Sequence, residues 1–279
     1  MRRLTRAIVL LAGLAVPAAA IAGERPPAGA LPDAVLAKGE GVVRKAWLAE
    51  PTDRYRHGIL GDRIEAGALM VELEGGRVLG LRLPKSSVFE DRQVRLADFN
   101  GDGADEMVVV ESSLTQGAAL AVYGIREGRL QLVARDRWIG TPNRWLNPAG
   151  IADFDGDGRL EIAVVSTPHI GGTLRLLRPE GQAMQVVAEK FGFSNHAIRS
   201  RDQGLSAVVD WNGDGVADLA LPDNSRQAVH VVSFRGGRIE VIASYPLGSG
   251  VAGDFVTGDG PVIRVPLHNG QTAELGPGG

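Results

Sequence analysis

Residues 151–165 read IADFDGDGRLEIAVV and place four carboxylates directly before a run of apolar residues. The carboxylates belong to Asp153, Asp155, Asp157 and Glu161. Like charges at this spacing repel one another and disfavour a folded turn. The arrangement is therefore expected to hold a cation among the carboxylates, or to keep the turn fully in water.

The same pattern occurs twice more, as LADFNGDGADEMVVV at 96–110 and VVDWNGDGVADLALP at 208–222. The first aspartates of the three copies, Asp98, Asp153 and Asp210, are 55 and 57 residues apart. A near-constant period of this size indicates stacked or circular repeats built from blade-sized units. One copy alone would be a weak signal, whereas three copies with apolar flanks predict a repeated fold.

Each period also contains further apolar runs, such as ALAVYGI and LQLVA on either side of Glu127-Gly128. Short apolar runs bounded by turns are typical of strands, and two runs across a glycine turn are typical of a hairpin. With the strand before each acidic turn, every period supplies four antiparallel strands. Weaker copies flank the three clear ones. The sequence therefore predicts an all-β fold, a β-propeller of five four-stranded antiparallel blades.

The N-terminus resembles a secretory signal peptide. Arg2, Arg3 and Arg6 precede an apolar run over 7–16, and a small-residue stretch follows that ends at Ala22. This pattern predicts cleavage after Ala22 and a periplasmic or extracellular protein. The apolar run is too short to span a bilayer and has no second counterpart, so no membrane span is predicted.

The expected domain organisation combines this N-terminus with the repeats. A strand from the segment DAVLAKG near the mature N-terminus is expected to complete the last blade and close the ring, since closure removes exposed sheet edges. The expected segments are a signal peptide at 1–22, a short linker at 23–32 and one propeller domain at 33–279, with blades at about 42–83, 92–135, 148–190, 205–244 and 249–276.

The composition excludes several function classes. The chain has no cysteine, which excludes disulfides and thiol chemistry. Without the three arginines of the predicted signal peptide, 27 basic and 33 acidic residues give a net charge of −6. This acidity disfavours a nucleic-acid partner, whose phosphates need a basic face.

Oxygen-bearing side chains occupy positions 1, 3, 5 and 9 of each acidic turn, counted from its first aspartate. Such a set, without histidine or cysteine, suits a hard cation, and a flexible all-protein cage favours calcium over magnesium. An EF-hand is excluded because position 12 is apolar and the flanks are strands. The alternative is a solvated turn that bonds its own backbone without metal. The predicted calcium ligands are Asp98, Asn100, Asp102, Glu106, Asp153, Asp155, Asp157, Glu161, Asp210, Asn212, Asp214 and Asp218.

The turn at 153–161 has four carboxylates where the other two have three, so it is predicted to bind calcium most tightly. All ligands of a site come from one turn, which leaves no reason to expect an open catalytic position. Calcium is therefore expected to be structural, as a stabiliser of the blades.

The stretches DFNGDGADE, DFDGDGRLE and DWNGDGVAD resemble the calcium loops of FG-GAP/VCBS repeats, the blades of integrin-alpha-type propellers. The resemblance covers three blades and, through the flanking copies, most of the chain. It implies a propeller and the calcium ligands given above. Gly-Ala-Pro is absent, Phe-Gly occurs only at Phe191-Gly192, and nothing resembles the adhesion apparatus of an integrin. The whole pattern is similar to secreted bacterial VCBS-repeat proteins of unassigned activity.

Antiparallel strand order puts the acidic and glycine turns on one face of the propeller and the longer loops on the opposite face. Loops on a rigid scaffold are where binding residues concentrate, and Arg, Trp, His and Asn together suit carboxylates or sugars. The alternative is that Trp145 fills a gap between blades and that His169 and His196 bond neighbouring loops. The candidate ligand-binding residues are Arg144, Trp145, Asn147, His169, Asn195, His196, Arg199, Asn224 and Arg226.

These features predict a secreted, calcium-stabilised propeller that binds a protein or carbohydrate ligand. The alternative is a periplasmic enzyme with carbohydrate as its candidate substrate and with His169, His196, Arg144 and Arg226 around its site. The absence of a recognisable catalytic motif favours binding. The clustering of His and Arg on one loop face favours an enzyme. Convergence of these loops on a pocket would support the enzyme alternative.

Overall fold

The computed structural model describes residues 26–278, so the predicted signal peptide at 1–22 lies outside the described residues. The regular structure consists of β-strands and two single turns of 3-10 helix, at Glu74–Gly76 and Arg235–Gly237. Within the described range, no helix has the length and apolar character needed to cross a membrane. The predicted all-β fold is confirmed.

The strands of the described chain form five consecutive antiparallel groups, the first three of which are joined into one large sheet. The first group contains β1 (Ala37–Lys38), β2 (Val43–Thr52), β3 (Glu65–Leu73) and β4 (Val78–Arg82). The second contains β5 (Ser87–Phe89), β6 (Arg95–Ala97), β7 (Glu106–Ser113), β8 (Gly117–Arg126) and β9 (Arg129–Arg135). The third contains β10 (Leu146–Ala152), β11 (Glu161–Ser166), β12 (Thr173–Glu180) and β13 (Ala183–Phe191). The fourth contains β14 (Ala207–Val209), β15 (Asp218–Pro222), β16 (Ala228–Ser233) and β17 (Glu240–Pro246), and the fifth β18 (Val256–Thr257), β19 (Ile263–Pro266) and β20 (Thr272–Leu275).

The acidic turns lie where the sequence predicts them, between the strands of an antiparallel pair. They join β6 to β7, β10 to β11 and β14 to β15. The strand that follows each turn is buried on both faces, as in β7, which explains why its sequence is continuously apolar rather than alternating. Three groups thus have the predicted blade pattern, whereas the count of five blades and the closure of a ring remain predictions.

The N-terminal segment corrects two expectations. Ala37 pairs with Ala46 of β2, so the segment expected to complete the last blade instead supplies the first strand of the first group. A tight turn accounts for this, because the N–H of Gly39 donates to the carbonyl of Arg44 and returns the chain onto β2. Part of the expected linker also packs on the domain, since Leu31 is buried in its core.

The core lies between neighbouring groups. Val108 and Leu120 of the second group share one buried cluster with Leu146 and Ile162 of the third. The third and fourth groups share the next cluster, and the fourth and fifth share another. Side chains from facing sheets therefore interlock and fix the loops at the ends of the strands.

Candidate functional site

The three acidic turns share one hydrogen-bond pattern. The carboxylate of Asp153 accepts the N–H groups of Gly156, Asp157 and Gly158 at 2.8, 3.1 and 2.9 Å. The first aspartates of the other two turns accept the equivalent N–H groups at 2.7–3.2 Å. Each turn therefore curls around its first carboxylate. The glycine at turn position six permits this curl, because Gly158 has a φ of +87°, a backbone conformation that other residues rarely adopt.

The acid at position nine is buried at the base of each turn. Oε2 of Glu161 accepts a backbone N–H from within its turn at 2.9 Å, and Glu106 and Asp218 accept the equivalent group at 3.1 Å. Burial raises the pKa of Glu161, and it raises the pKa of Asp218 to about 6. A cation nearby would stabilise the charged form of these carboxylates.

The donor set of these turns fits calcium. Asp153, Asp155 and Glu161 bring ligand oxygens within 4.8 Å of one another. A carboxylate oxygen that accepts one N–H keeps a further lone pair for a metal ion. All twelve predicted calcium ligands lie in the three turns, and all offer oxygen, the donor that hard cations prefer.

One residue conflicts with the expected ranking of the turns. Nη2 of Arg178 lies 2.7 Å from Oδ2 of Asp155 and 3.1 Å from Oδ2 of Asp157. Its Nε donates to Oε1 of Glu161 at 2.8 Å. The prediction that this turn binds calcium most tightly counted four carboxylates but not this guanidinium, which already neutralises part of their charge.

The long loops meet at a cavity of about 140 Å³. Its walls include Arg144, Trp145 and His169, three of the residues predicted to bind a ligand. His57 and Ile198, from two further loops, complete the same wall. Loops of three groups therefore converge at one place, which is the arrangement that the enzyme alternative requires.

The two predicted histidines contact each other directly. Nε2 of His169 lies 2.9 Å from Nδ1 of His196, and Nε2 of His196 lies 3.1 Å from the carbonyl of Ser200. A carbonyl only accepts, so His196 carries its proton on Nε2, and His169 donates its own Nε2 proton to His196. Burial lowers the pKa of His169 to about 3 and that of His196 to about 4, so both rings are neutral. His169 retains Nδ1 as an acceptor, whereas both nitrogens of His196 are in use.

Several other predicted ligand residues have internal roles. Trp145 is 2% exposed, stacks on His169 and donates its indole N–H to the carbonyl of Glu90 at 2.9 Å. Asn147 and Asn195 are fully buried, and each side chain donates to the other residue's backbone carbonyl. Arg226 donates to a serine hydroxyl at 3.0 Å, and its charge further lowers the pKa of both histidines. The remaining two, Arg199 and Asn224, are exposed on adjoining loops.

Arg144 is different, because its guanidinium bonds a neighbouring backbone carbonyl rather than a side chain of another loop. Its Nη1 donates to the carbonyl of Asn143 at 3.1 Å, and no carboxylate among residues 26–278 pairs with it. The guanidinium lines the cavity, and the residue is half-buried. It is therefore available to an anionic or polar ligand.

Sequence reasoning missed a carboxylate–histidine pair at this cavity. Nδ1 of His57 lies 2.7 Å from Oε1 of Glu90, which is fully buried. Ser112 donates its hydroxyl to the other oxygen of Glu90. Both carboxylate oxygens are thus bonded, and Nε2 is the nitrogen of His57 left for a ligand. The available signal was an acid placed directly after the apolar strand SVF, where an unpaired charge would be unfavourable.

A second buried acid adjoins this pair. Glu65 is 3% exposed, and burial together with the charge of Glu90 raises the pKa of Glu65 to about 10. Glu65 is therefore protonated at neutral pH. Asp91, next to Glu90, instead accepts bonds from Arg95 at 2.8 Å and Gln203 at 2.9 Å. Glu90 and Asp91 therefore connect loops of several groups, through His57 and Gln203 respectively.

Comparison with known proteins identifies the repeat. A family model described as an FG-GAP-like repeat matches residues 98–164, and no curated protein matches the chain significantly. Among solved structures, the rhamnogalacturonan lyase YesW is 13% identical, with a TM-score of 0.44, over 73% of this chain and 44% of that chain. The chain thus spans less than half the length of that enzyme, and a similarity of this size assigns it no activity. The chain carries an FG-GAP-like repeat over residues 98–164, the family that its acidic turns resemble.

Proposed function

We propose that this protein is a secreted, calcium-stabilised propeller module that binds a ligand in the cavity of its long-loop face. The observation that carries the proposal is the convergence of His57, Arg144 and His169 on that cavity from three separate loops, which follow β2, β9 and β11. The FG-GAP-like repeat supports an interaction role for the scaffold. The N-terminal sequence pattern supports secretion to the periplasm or the cell exterior.

Calcium has a scaffolding role in this proposal. The acidic turns lie at the N-terminal ends of β7, β11 and β15, whereas the cavity-lining loops lie at the opposite ends of the strands. A cation there relieves the repulsion among the carboxylates, and it stabilises the charged form of the position-nine acids, which burial disfavours. Calcium therefore holds the ends of the strands in register and leaves the binding chemistry to the opposite face.

The cavity favours a small acidic or sugar-like group of a larger protein or carbohydrate ligand. Its volume of about 140 Å³ is below the usual range for a site that encloses a whole drug-sized molecule. Arg144 offers charged donors, and His57 and His169 each offer one free ring nitrogen. The exposed side chains of Ile170 and Ile198 add apolar surface at the rim.

Ligand titration tests this proposal. We expect the indole resonance of Trp145 and the ring resonances of His57 and His169 to shift in NMR spectra when glucuronate is added. Glucose, which lacks the carboxylate, is the matched probe and is expected to bind more weakly. Arg144→Ala is expected to remove the difference between the two probes, whereas Arg137→Ala, an exposed arginine outside the cavity, leaves it unchanged. No shift with either probe at millimolar concentration would contradict this choice of ligand chemistry.

The second candidate function is an enzyme, and the His57–Glu90 pair is the observation that favours it. A buried carboxylate that orients an imidazole leaves the opposite nitrogen as a base within the cavity. The residues of this candidate active site differ from those predicted from the sequence. His196 and Arg226 bond other protein groups, and His57 is the candidate base instead. The test is single-turnover assay of the purified protein on carbohydrate and ester substrates, with His57→Gln as the variant that should abolish any turnover.

A further inference from the structure

In the three groups with an acidic turn, β8, β12 and β16 each pair with the strand that follows the turn, and they pass the turn at an equivalent residue. In all three groups the residue after turn position nine pairs with a residue of this strand in the same register. One residue further along that strand stands Gly124 in the second group, Arg178 in the third and Ser233 in the fourth. A Cβ built on Gly124 would lie 3.3 Å from Oε1 of Glu106, so this position adjoins the buried acid of the turn. A charged residue occurs there only in the third group of the described chain.

Arg178 is held in this position by burial as well as by charge. Its side chain is 9% exposed, and it bonds the side chains at turn positions 3, 5 and 9 together. Those are three of the four side chains that a calcium ion in this turn would need. Guanidinium donors match carboxylate acceptors in geometry and remain charged at every physiological pH.

The arginines beside the other two turns are more exposed than Arg178 and contact fewer carboxylates. Arg126 lies 3.0 Å from Glu106 and 3.9 Å from Asp102, and its side chain is 40% exposed. Arg235 lies 2.9 Å from Asp214 and is 52% exposed. Arg126 stands two residues after Gly124, and Arg235 stands two residues after Ser233, the two residues equivalent to Arg178. They are free to turn into water when a divalent ion binds, which a buried arginine is not.

We propose that Arg178 is a tethered cation that takes the place of calcium in the 153–161 turn, so that this protein binds calcium only at the 98–106 and 210–218 turns. The inference rests on the calcium binding proposed above and reverses the order that a count of carboxylates predicts. A calcium ion entering the 153–161 turn would have to displace a buried guanidinium from its own ligands. If both cations remained, they would repel one another at short range. The third group is therefore stabilised without metal.

Calorimetric titration of the whole chain with calcium tests the proposal. The wild-type protein is expected to bind two ions. Arg178→Ser, which copies the fourth group at the equivalent position, is expected to bind three, with the new site at least about tenfold tighter than any third ion on the wild type. Asp153→Asn is the control. It is expected to leave the wild-type count at two and to remove the third ion from the Arg178→Ser protein.

The outcomes separate this inference from the function on which it rests. Three ions on the wild type, with one lost in Asp153→Asn, would overturn the inference and leave calcium binding intact. An unchanged count of two in a folded Arg178→Ser protein would overturn it as well. If Arg178→Ser does not fold, single variants that keep Arg178 still test the inference. Asp98→Asn and Asp210→Asn must each remove one calcium ion, and Asp153→Asn must remove none. No ion on any turn would overturn both proposals.

Discussion

Nδ1 of His57 and Oε1 of Glu90 form a hydrogen bond of 2.7 Å between a loop of the first strand group and the end of β5, at the edge of the cavity. Glu90 has no exposed surface, and its second oxygen is bonded to Ser112. A buried carboxylate without partners is strongly unfavourable, so these bonds hold the loop that carries His57. The cavity wall is therefore attached to the buried core on this side.

A double-mutant cycle measures that contact. We expect His57→Ala and Glu90→Ala to be coupled by about 1–3 kcal/mol in the free energy of unfolding, because each residue satisfies a group of the other that is removed from water. Denaturant unfolding of the two single variants and the double variant supplies the number. Additive effects within about 0.5 kcal/mol would contradict the contact.

The buried acid Glu65 predicts a pH dependence. Its folded-state pKa, about 10, lies above its unfolded value of 4.5, so the native state binds the extra proton and stability falls as pH rises from 4.5 towards 10. Glu65→Gln mimics the protonated form and is expected to stabilise the protein by up to about 5 kcal/mol at pH 8, with no gain at pH 4. Melting curves of both proteins across this range check it. Parallel pH profiles would contradict the assignment.

The histidine pair predicts the opposite slope in acid. The pKa values of His169 and His196, about 3 and about 4, lie below the unfolded value of 6.5, so the unfolded chain binds more protons between these limits. Stability is therefore lost as pH falls from 6.5 towards 4. In NMR titrations, the ring resonances of both residues should stay in the neutral form down to pH 5. A midpoint near 6.5 for either ring would show that the pair is not buried as described.

Gly158 tests how strictly the acidic turn needs its backbone shape. Its φ is +87°, and a Cβ at this position would meet no atom within 4 Å, so Gly158→Ala introduces backbone strain without a clash. We expect a loss of roughly 1–2 kcal/mol in stability. Gly248→Ala is the matched control, since it also has open space but no positive φ. Equal effects of the two substitutions would contradict a special role for the turn backbone.

The parts of the molecule that were predictable from sequence depend on contacts between residues close together in the chain. Asp153 bonds N–H groups three to five residues away, so the ligand set and the curl of the turn are visible in one short stretch. The apolar runs beside the turns likewise determine strands through local burial. The long-loop face followed from the same order of strands, and it brought Arg144, Trp145 and His169 together as expected.

The parts that were missed depend on pairing between distant residues. His57 and Glu90 are 33 residues apart, and Arg178 reaches Glu161 across 17 residues. Neither pair has a motif, because register between strands, rather than spacing in the chain, brings its members together. The closing strand was misassigned for a related reason, since a local hairpin at Gly39 competes successfully with a pairing to the distant C-terminus.

The central claim is that calcium in the acidic turns stabilises the scaffold whose opposite face carries the cavity. Thermal melting of the wild-type protein with excess calcium and with excess chelator tests it most directly. We predict a higher melting temperature with calcium, and a smaller difference for Asp210→Asn, which lacks one carboxylate of the 210–218 turn. The same melting temperature for the wild-type protein in calcium and in chelator would contradict the claim.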